Sequence, residues 1–232
     1  MVVFAFASAA QAASGFGYAL VAVPIFALAV DTRTAVVATT ALGFILTAST
    51  GWREREHVQV ATARRVFLAS LAGMPLGLVL LARLDSRWLS LTIAVSVLIL
   101  VLLLWREVSL PRGVGVERGA GLASGVLLTA TGMNGPPVAL ALQALNYPAR
   151  QFRATMQGIF VGQDLIAVIA FGVLGFLDRE VAVVVLGGAV GIPAGWLVGD
   201  RLMRMMSERQ FRIVVMLVLV ATAVVTLIDV AT

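Results

Sequence analysis

Asp164 is the clearest ionisable residue set deep inside an apolar run, within the stretch Arg153–Leu177. A carboxyl at bilayer depth costs several kcal/mol unless it is paired, hydrated or protonated, so a functional role is its default reading. It can take up a proton, bind a cation, or sit neutral against a polar partner on a neighbouring helix. Gln157 lies two helical turns earlier and shares its face, with Val161 between them. Gln163 points roughly a quarter-turn away from that face.

The second chemical feature is a pair of helix breaks. Thr131-Gly132-Met133-Asn134-Gly135-Pro136-Pro137 interrupts the apolar run Gly119–Leu145, and a fainter copy, Ser14-Gly15-Phe16-Gly17, interrupts Met1–Val30. Proline lacks the N–H and clashes with the preceding turn, and glycine carries a large entropy cost, so neither run continues as one ordinary helix. A broken helix exposes unpaired N–H groups at the positive end of its dipole, which suits an anion. Ser14, Thr131 and Asn134 add uncharged donors. Tight packing through small residues is the plainer alternative, and it is preferred for Gly73-Met74-Pro75-Leu76-Gly77 and for Gly191-Ile192-Pro193-Ala194-Gly195.

Enzyme chemistry finds no constellation here. Intramembrane serine proteolysis needs a base beside the nucleophile, and the single histidine, His57, falls in a charged loop. Aspartyl chemistry needs two membrane carboxylates, whereas Asp229 is near the C-terminal end and only Asp164 is deep. There is no cysteine, hence no disulfide and no thiolate metal site. No Cys/His/carboxylate cluster offers metal ligands, and no cofactor is implied.

These residues must be positioned by elements suited to lipid. The 232 residues are 60% hydrophobic and 12% charged, with mean hydropathy +1.01, against about 25% charged in ordinary domains. Several runs approach the ~20 apolar residues that cross a bilayer, so an all-α, polytopic integral membrane protein is expected. The N-terminus lacks the basic region of a signal peptide. All 17 basic residues are arginines lying in short loops; they read as topology signals, with the lipid bilayer rather than nucleic acid as partner. Arg150 and Arg153 could draw an anion to one mouth, though the topology role is preferred. Spans are expected over Thr34–Gly51, Val66–Leu84, Trp88–Trp105, Arg153–Leu177, Val181–Val198 and Phe211–Ile228.

The chain repeats itself. Gly-x-Pro-x-Gly at 73–77 returns at 191–195, an offset of 118, while Arg33 returns as Arg150 and Gly15 as Gly132, each at 117. The expected organisation is a first repeat, 1–105, a linker, 106–118, and a second repeat, 119–232, a common transporter plan. On the second-repeat span, Met156 and Gln157 occupy the place of Thr39 and Thr40. If every segment crosses once, the arginines divide nine to eight and favour no orientation. If 1–30 and 119–145 are re-entrant hairpins, with arms of ~12 residues and ~18 Å, one side carries only Arg33, Arg83, Arg87 and Arg179. The positive-inside rule prefers that arrangement. It implies two inverted repeats, each a broken hairpin plus three transmembrane helices, with both termini outside.

Gly15-Phe16-Gly17 followed by Pro24, Ala38-Thr39-Thr40-Ala41 after the first turn, and Gly132-Met133-Asn134-Gly135-Pro136-Pro137 resemble the TauE/SafE sulfite exporter family, also called the toluene-sulfonate uptake permease family. The resemblance covers nearly the whole chain. It implies a secondary transporter, a permease of the bacterial inner membrane, for sulfite, thiosulfate or organosulfonates. Substrate is then expected at Ser14, Gly15, Phe16, Gly17, Thr39, Thr40, Thr131, Gly132, Met133, Asn134, Gly135, Pro136 and Gln157, with Asp164 coupling transport to protons. The chain departs from the family pattern in carrying Phe16 and Tyr18 in place of the usual glycine run, and Asn134 where glycine is common. An anion channel could be built from the same breaks and is the alternative. No residue fixes an oligomeric state; a homodimer is the assembly considered.

Overall fold

In lipid every backbone N–H and C=O needs a partner within the protein, so long apolar segments fold as helices. In the computed structural model, described for residues 17–106 and 110–189 with Ala7, Gln11, Ile213, Leu217, 219–221 and 223–228, the regular elements are all helical. They are α1 (Gly17–Ala27), α2 (Thr32–Glu54), α3 (Val60–Arg83), α4 (Ser86–Trp105), α5 (Val114–Thr131), α6 (Gly135–Gln143) and α7 (Ala149–Val173), and residues 179–189 are helical too. Segments long and apolar enough to cross a membrane lie in α2, α3, α4 and α7. Ser14–Phe16, Gly191–Gly195, Asp229 and much of the last two expected spans lie outside the described residues.

Helix ends carry specific chemistry. Asp31 caps α2 by accepting from the N–H groups of Arg33 (3.0 Å) and Thr34 (3.3 Å). Asp85 caps α4 through Trp88 N–H. At the far end of α7, Gly175 turns left-handed at φ 75°, and Phe176 N–H reaches back to Phe171 C=O at 2.8 Å. That glycine-closed stop, with Phe176 packed beside Phe171, ends the helix before Leu177. α5 starts earlier than expected, inside the stretch read as linker, because Glu117 is buried against the Arg65 guanidinium of α3 and needs no loop.

α3 and α5 pack backbone to backbone. A methyl placed on Gly73 would lie 2.2 Å from Leu122 C=O, one on Gly121 2.3 Å from Val66 C=O, and one on Gly125 2.1 Å from Ser70 C=O. Thr129 adds a 2.9 Å hydrogen bond to Met74 C=O. The Gly-x-Pro-x-Gly copy at 73–77 is therefore part of a small-residue seam.

Between α5 and α6 the chain doubles back. Ser124, two turns before the end of α5, donates to Asn134 C=O at 2.9 Å. Arg112, ahead of α5, donates to Ala144 C=O at the end of α6, at 2.8 Å. Both ends of 114–146 thus lie together, and the segment folds back on itself as a helical hairpin. Its arms are unequal: 18 residues descend, about 27 Å, and nine return after a non-helical tip.

Contacts also sort the two ends of the molecule. At one, Arg33 donates to Leu81 C=O and Leu84 C=O and lies 5.4 Å over the Phe176 ring. At the other, Arg150 pairs with Glu54 at 3.0 Å and Gln59 N–H donates to Thr155 at 2.9 Å. α2 and α7 are therefore antiparallel neighbours. Among the described residues, the first end carries Arg33, Arg83, Arg87 and Arg179, and every other described arginine belongs to the second. That asymmetry is the one expected from hairpins.

Partial burial opposes ionisation of Asp31, but hydrogen bonds from Ser86, Thr34 and Arg33, with the Arg33 charge, hold its carboxyl below the usual carboxylate range. The stability this adds is present above the unfolded value, about 3.9, and is lost as pH falls through the folded one. Asp31→Asn keeps a cap but removes the charge. Its thermal midpoint in detergent should fall below wild type at pH 7 and pH 5, with the gap closing below about pH 4.

Candidate functional site

Four elements bring polar groups to one point at mid-span: the start of α1, the middle of α2, the hairpin tip and the middle of α7. Asp164, buried on α7, accepts from Thr47 Oγ1 of α2 at 3.2 Å and from Asn134 Nδ2 of the tip at 3.3 Å. Asn134 Nδ2 also donates to Gln163 Oε1 at 3.0 Å, and Ser124 Oγ to the same oxygen at 3.2 Å. Every one of these partners is neutral, and no basic side chain pairs with Asp164 among the described residues.

The tip is built so that its break can be buried. Gly132 takes a left-handed conformation, φ 73°, and its N–H still closes onto Leu128 C=O at 2.8 Å. A side chain there would lie 3.0 Å from Val23 and 3.6 Å from Thr40 Oγ1. Asn134 is the N-cap of α6, Gly135 its first residue, and Pro136 and Pro137 follow. Two of the amides that a helix start leaves unpaired are absent, which lowers the cost of burying it. It also limits the N–H groups an anion could find there, so the helix dipole and the Asn134 side chain are what this break offers.

Beside Asp164 is a cavity of about 20 Å³, roughly the free space of a single buried water. Tyr18, Thr39, Gly43, Gly132, Asn134 and Asp164 are among the residues that line it. A methyl on Gly43 would lie 3.9 Å from both the Asp164 carboxylate and the Tyr18 ring, so this glycine keeps the space between them open. The Tyr18 hydroxyl and Thr39 Oγ1 are buried with no hydrogen-bond partner among the described residues. Unpartnered polar groups inside a protein are costly, and two on one cavity are a functional signal.

Of the residues singled out from sequence, Thr39, Thr40, Gly132, Asn134 and Asp164 line this cavity. Gly17 is buried at the start of α1, beside Tyr18. Met133, Gly135 and Pro136 are buried in the tip and are not among the residues that line the cavity. Thr131 is there too, its hydroxyl turned back to Leu127 C=O at 2.7 Å. Gln157 lies two turns before Asp164 on α7 and accepts from Thr50 Oγ1 at 3.0 Å. Ser14, Gly15 and Phe16 lie outside the described residues. Tyr18, Thr47, Gln11 and Gln163 are additions. Gln11 Oε1 accepts from Tyr18 N–H at 3.1 Å. A glutamine isolated in the apolar run 1–30 was a signal that could have found it. Thr47 stands 117 residues before Asp164, the repeat offset itself.

Bilayer-length helices around a buried polar cavity at mid-span define a polytopic integral membrane protein laid out as a small-solute transporter. The family model for the sulfite exporter TauE/SafE matches residues 1–226 of the 232, and the chain belongs to that family. The family implies membrane transport of sulfite and related sulfur anions; its members are transporters, not enzymes. No curated protein and no solved structure matches the chain.

A buried hydroxyl without a partner adds nothing to stability, and removing it can be neutral or favourable. Tyr18→Phe and Thr39→Val should therefore leave the thermal midpoint in detergent unchanged or raised. Asn134→Ala, which strips a network at the tip, should cost about 2 kcal/mol or more. A large loss of stability in Tyr18→Phe would show that its hydroxyl is already satisfied.

Proposed function

We propose that this protein is a secondary transporter of the bacterial inner membrane that carries small sulfur oxyanions, such as sulfite, thiosulfate or organosulfonates, by alternating access. The observation that carries this reading is the pair of unpartnered hydroxyls, Tyr18 and Thr39, on a cavity that Asp164 also lines. Two neutral donors and the positive ends of α1 and α6 can hold an anion strongly enough to select it, yet release it. A cavity of about 20 Å³ is too small for such an anion, so this conformation is closed and substrate enters when α2 and α7 part.

Asp164 supplies the coupling. An anion about 4 Å from an ionised carboxylate meets a repulsion of roughly 4 kcal/mol at an effective dielectric constant of 20. Anion and proton are then bound together, and by linkage each favours the other. The same cavity thus couples downhill proton flow to anion movement without a separate proton path.

Alternating access follows from symmetry if the repeats are inverted. Supporting this, α2 and α7 are equivalent under the 117-residue offset, run antiparallel and touch through the equivalent pair Thr47 and Asp164. Residues related by a twofold axis meet only on that axis, so the cavity sits where the two halves exchange roles.

Uptake into proteoliposomes of labelled sulfite, thiosulfate, taurine and sulfoacetate tests the reading. Saturable flux with counterflow is expected; ohmic current would replace the carrier with a channel. Gly132→Val combines a left-handed backbone with a contact on Val23, so uptake should fall at least about tenfold, equivalent to 1.4 kcal/mol, in protein that still inserts. Asp164→Asn should retain uptake down an anion gradient but lose acceleration by a pH gradient. An unchanged pH profile would refute the coupling role.

A further inference from the structure

On the arginine-rich end, α3 and α5 leave a furrow on the outside of the glycine seam. Arg64, Arg65 and Arg118 stand at its mouth, and Leu68, Ala72 and Leu122 line its floor. Its volume is about 630 Å³ and it opens outward, within the range of small-molecule sites. Arg64 and Arg118 are each the fifth residue of their helices, about 6 Å in from the helix start, the depth of a headgroup layer. Leu68 and Leu122 are about half exposed, 56% and 50%, and face what surrounds the protein in the membrane.

We propose that this furrow is a binding site for one anionic phospholipid, its phosphate held by Arg64 and Arg118 and an acyl chain laid along Leu68, Ala72 and Leu122. Charge decides between lipid classes. Glu117 neutralises Arg65 and fixes its guanidinium at the rim, whereas Arg64 and Arg118 have no acidic partner among the described residues. The mouth therefore keeps two uncompensated positive charges, which a zwitterionic headgroup satisfies poorly and an anionic one well. Shape decides between a lipid and a free phosphate. From Arg65 to Ala72 the floor runs about 10 Å with apolar walls, which an inorganic anion leaves unused. Small residues make the furrow: Ala69, Ala72 and Gly119 leave space that longer side chains would fill. The bound lipid would bridge α3 to the descending arm of the hairpin at its entry point.

Native mass spectrometry of the detergent-purified full chain, titrated with phosphatidylglycerol, phosphatidylcholine or glycerol phosphate, tests this. One phosphatidylglycerol per chain should bind at least tenfold more tightly than phosphatidylcholine, and glycerol phosphate should not displace it. Arg64→Gln with Arg118→Gln should weaken binding at least tenfold, while Arg53→Gln with Arg55→Gln, on the same end outside the furrow, should not. Leu122→Trp, which fills the floor without touching charge, should also weaken it. Equal binding of the two lipids, an equal loss in the Arg53/Arg55 variant, or displacement by glycerol phosphate would overturn the site. Protection of the furrow by a second copy of the chain, seen as dimers that Leu122→Trp dissociates without any change in lipid bound, would overturn it as well.

Discussion

A backbone break at the centre of a bilayer has no water to satisfy it, and much of this structure answers that one constraint. Gly132 keeps its amide in the helix ladder while turning left-handed, Ser124 donates to the carbonyl of Asn134, and prolines stand where amides would be stranded. The hairpin can bury its tip only because α7 brings Gln163 and Asp164 to the Asn134 amide and α2 brings Thr47 to the other carboxylate oxygen. Backbone satisfaction and the polar cavity are thus one network. Removing a donor from it exposes a carbonyl or a carboxylate to a medium that cannot solvate either.

That network also explains the choice of neutral partners. A fixed guanidinium beside Asp164 would complete a buried ion pair, and breaking it in each cycle would be costly. Hydroxyls and amides hold a carboxyl in its neutral or its ionised form without a fixed counter-charge, which is what the proposed cycle asks of them. The arginines are kept at the two ends. Arg33 is spent on the carbonyls of Leu81 and Leu84 and on the Phe176 ring, Arg150 on Glu54. Their division between the two ends is uneven.

Much of this was legible in the residues. Apolar length marked the spans, and proline and glycine marked the break at which the contacts of Ser124 and Arg112 show the chain doubling back. Asp164 stood out because a carboxyl is rare at that depth. What could not be read was azimuth. In lipid a helix is apolar on its outer face as well as its inner one, so hydropathy gives depth but not direction. Thr47 and Thr50 sit a turn apart on α2, and only packing shows that the first meets Asp164 and the second Gln157. Tyr18 read as a departure from a motif, although it forms a wall of the cavity. The α3–α5 pairing was equally hidden. Gly121 and Gly125 acquire meaning only when Val66 and Ser70 are found against them.

The glycine seam has a mechanical consequence. Notches at Gly73, Gly77, Gly121 and Gly125 receive the opposing backbone at distances that leave no slack, so α3 and α5 can neither slide nor roll without driving side chains into main chain. The two helices behave as one strut, and the tip at Gly132 rides on its end. Any displacement of the tip is then a tilt of that strut about the loops at 58–59 and 110–113, rather than a bending of the hairpin. A lever some 27 Å long converts a small rotation at the membrane surface into a shift of several ångströms at its centre.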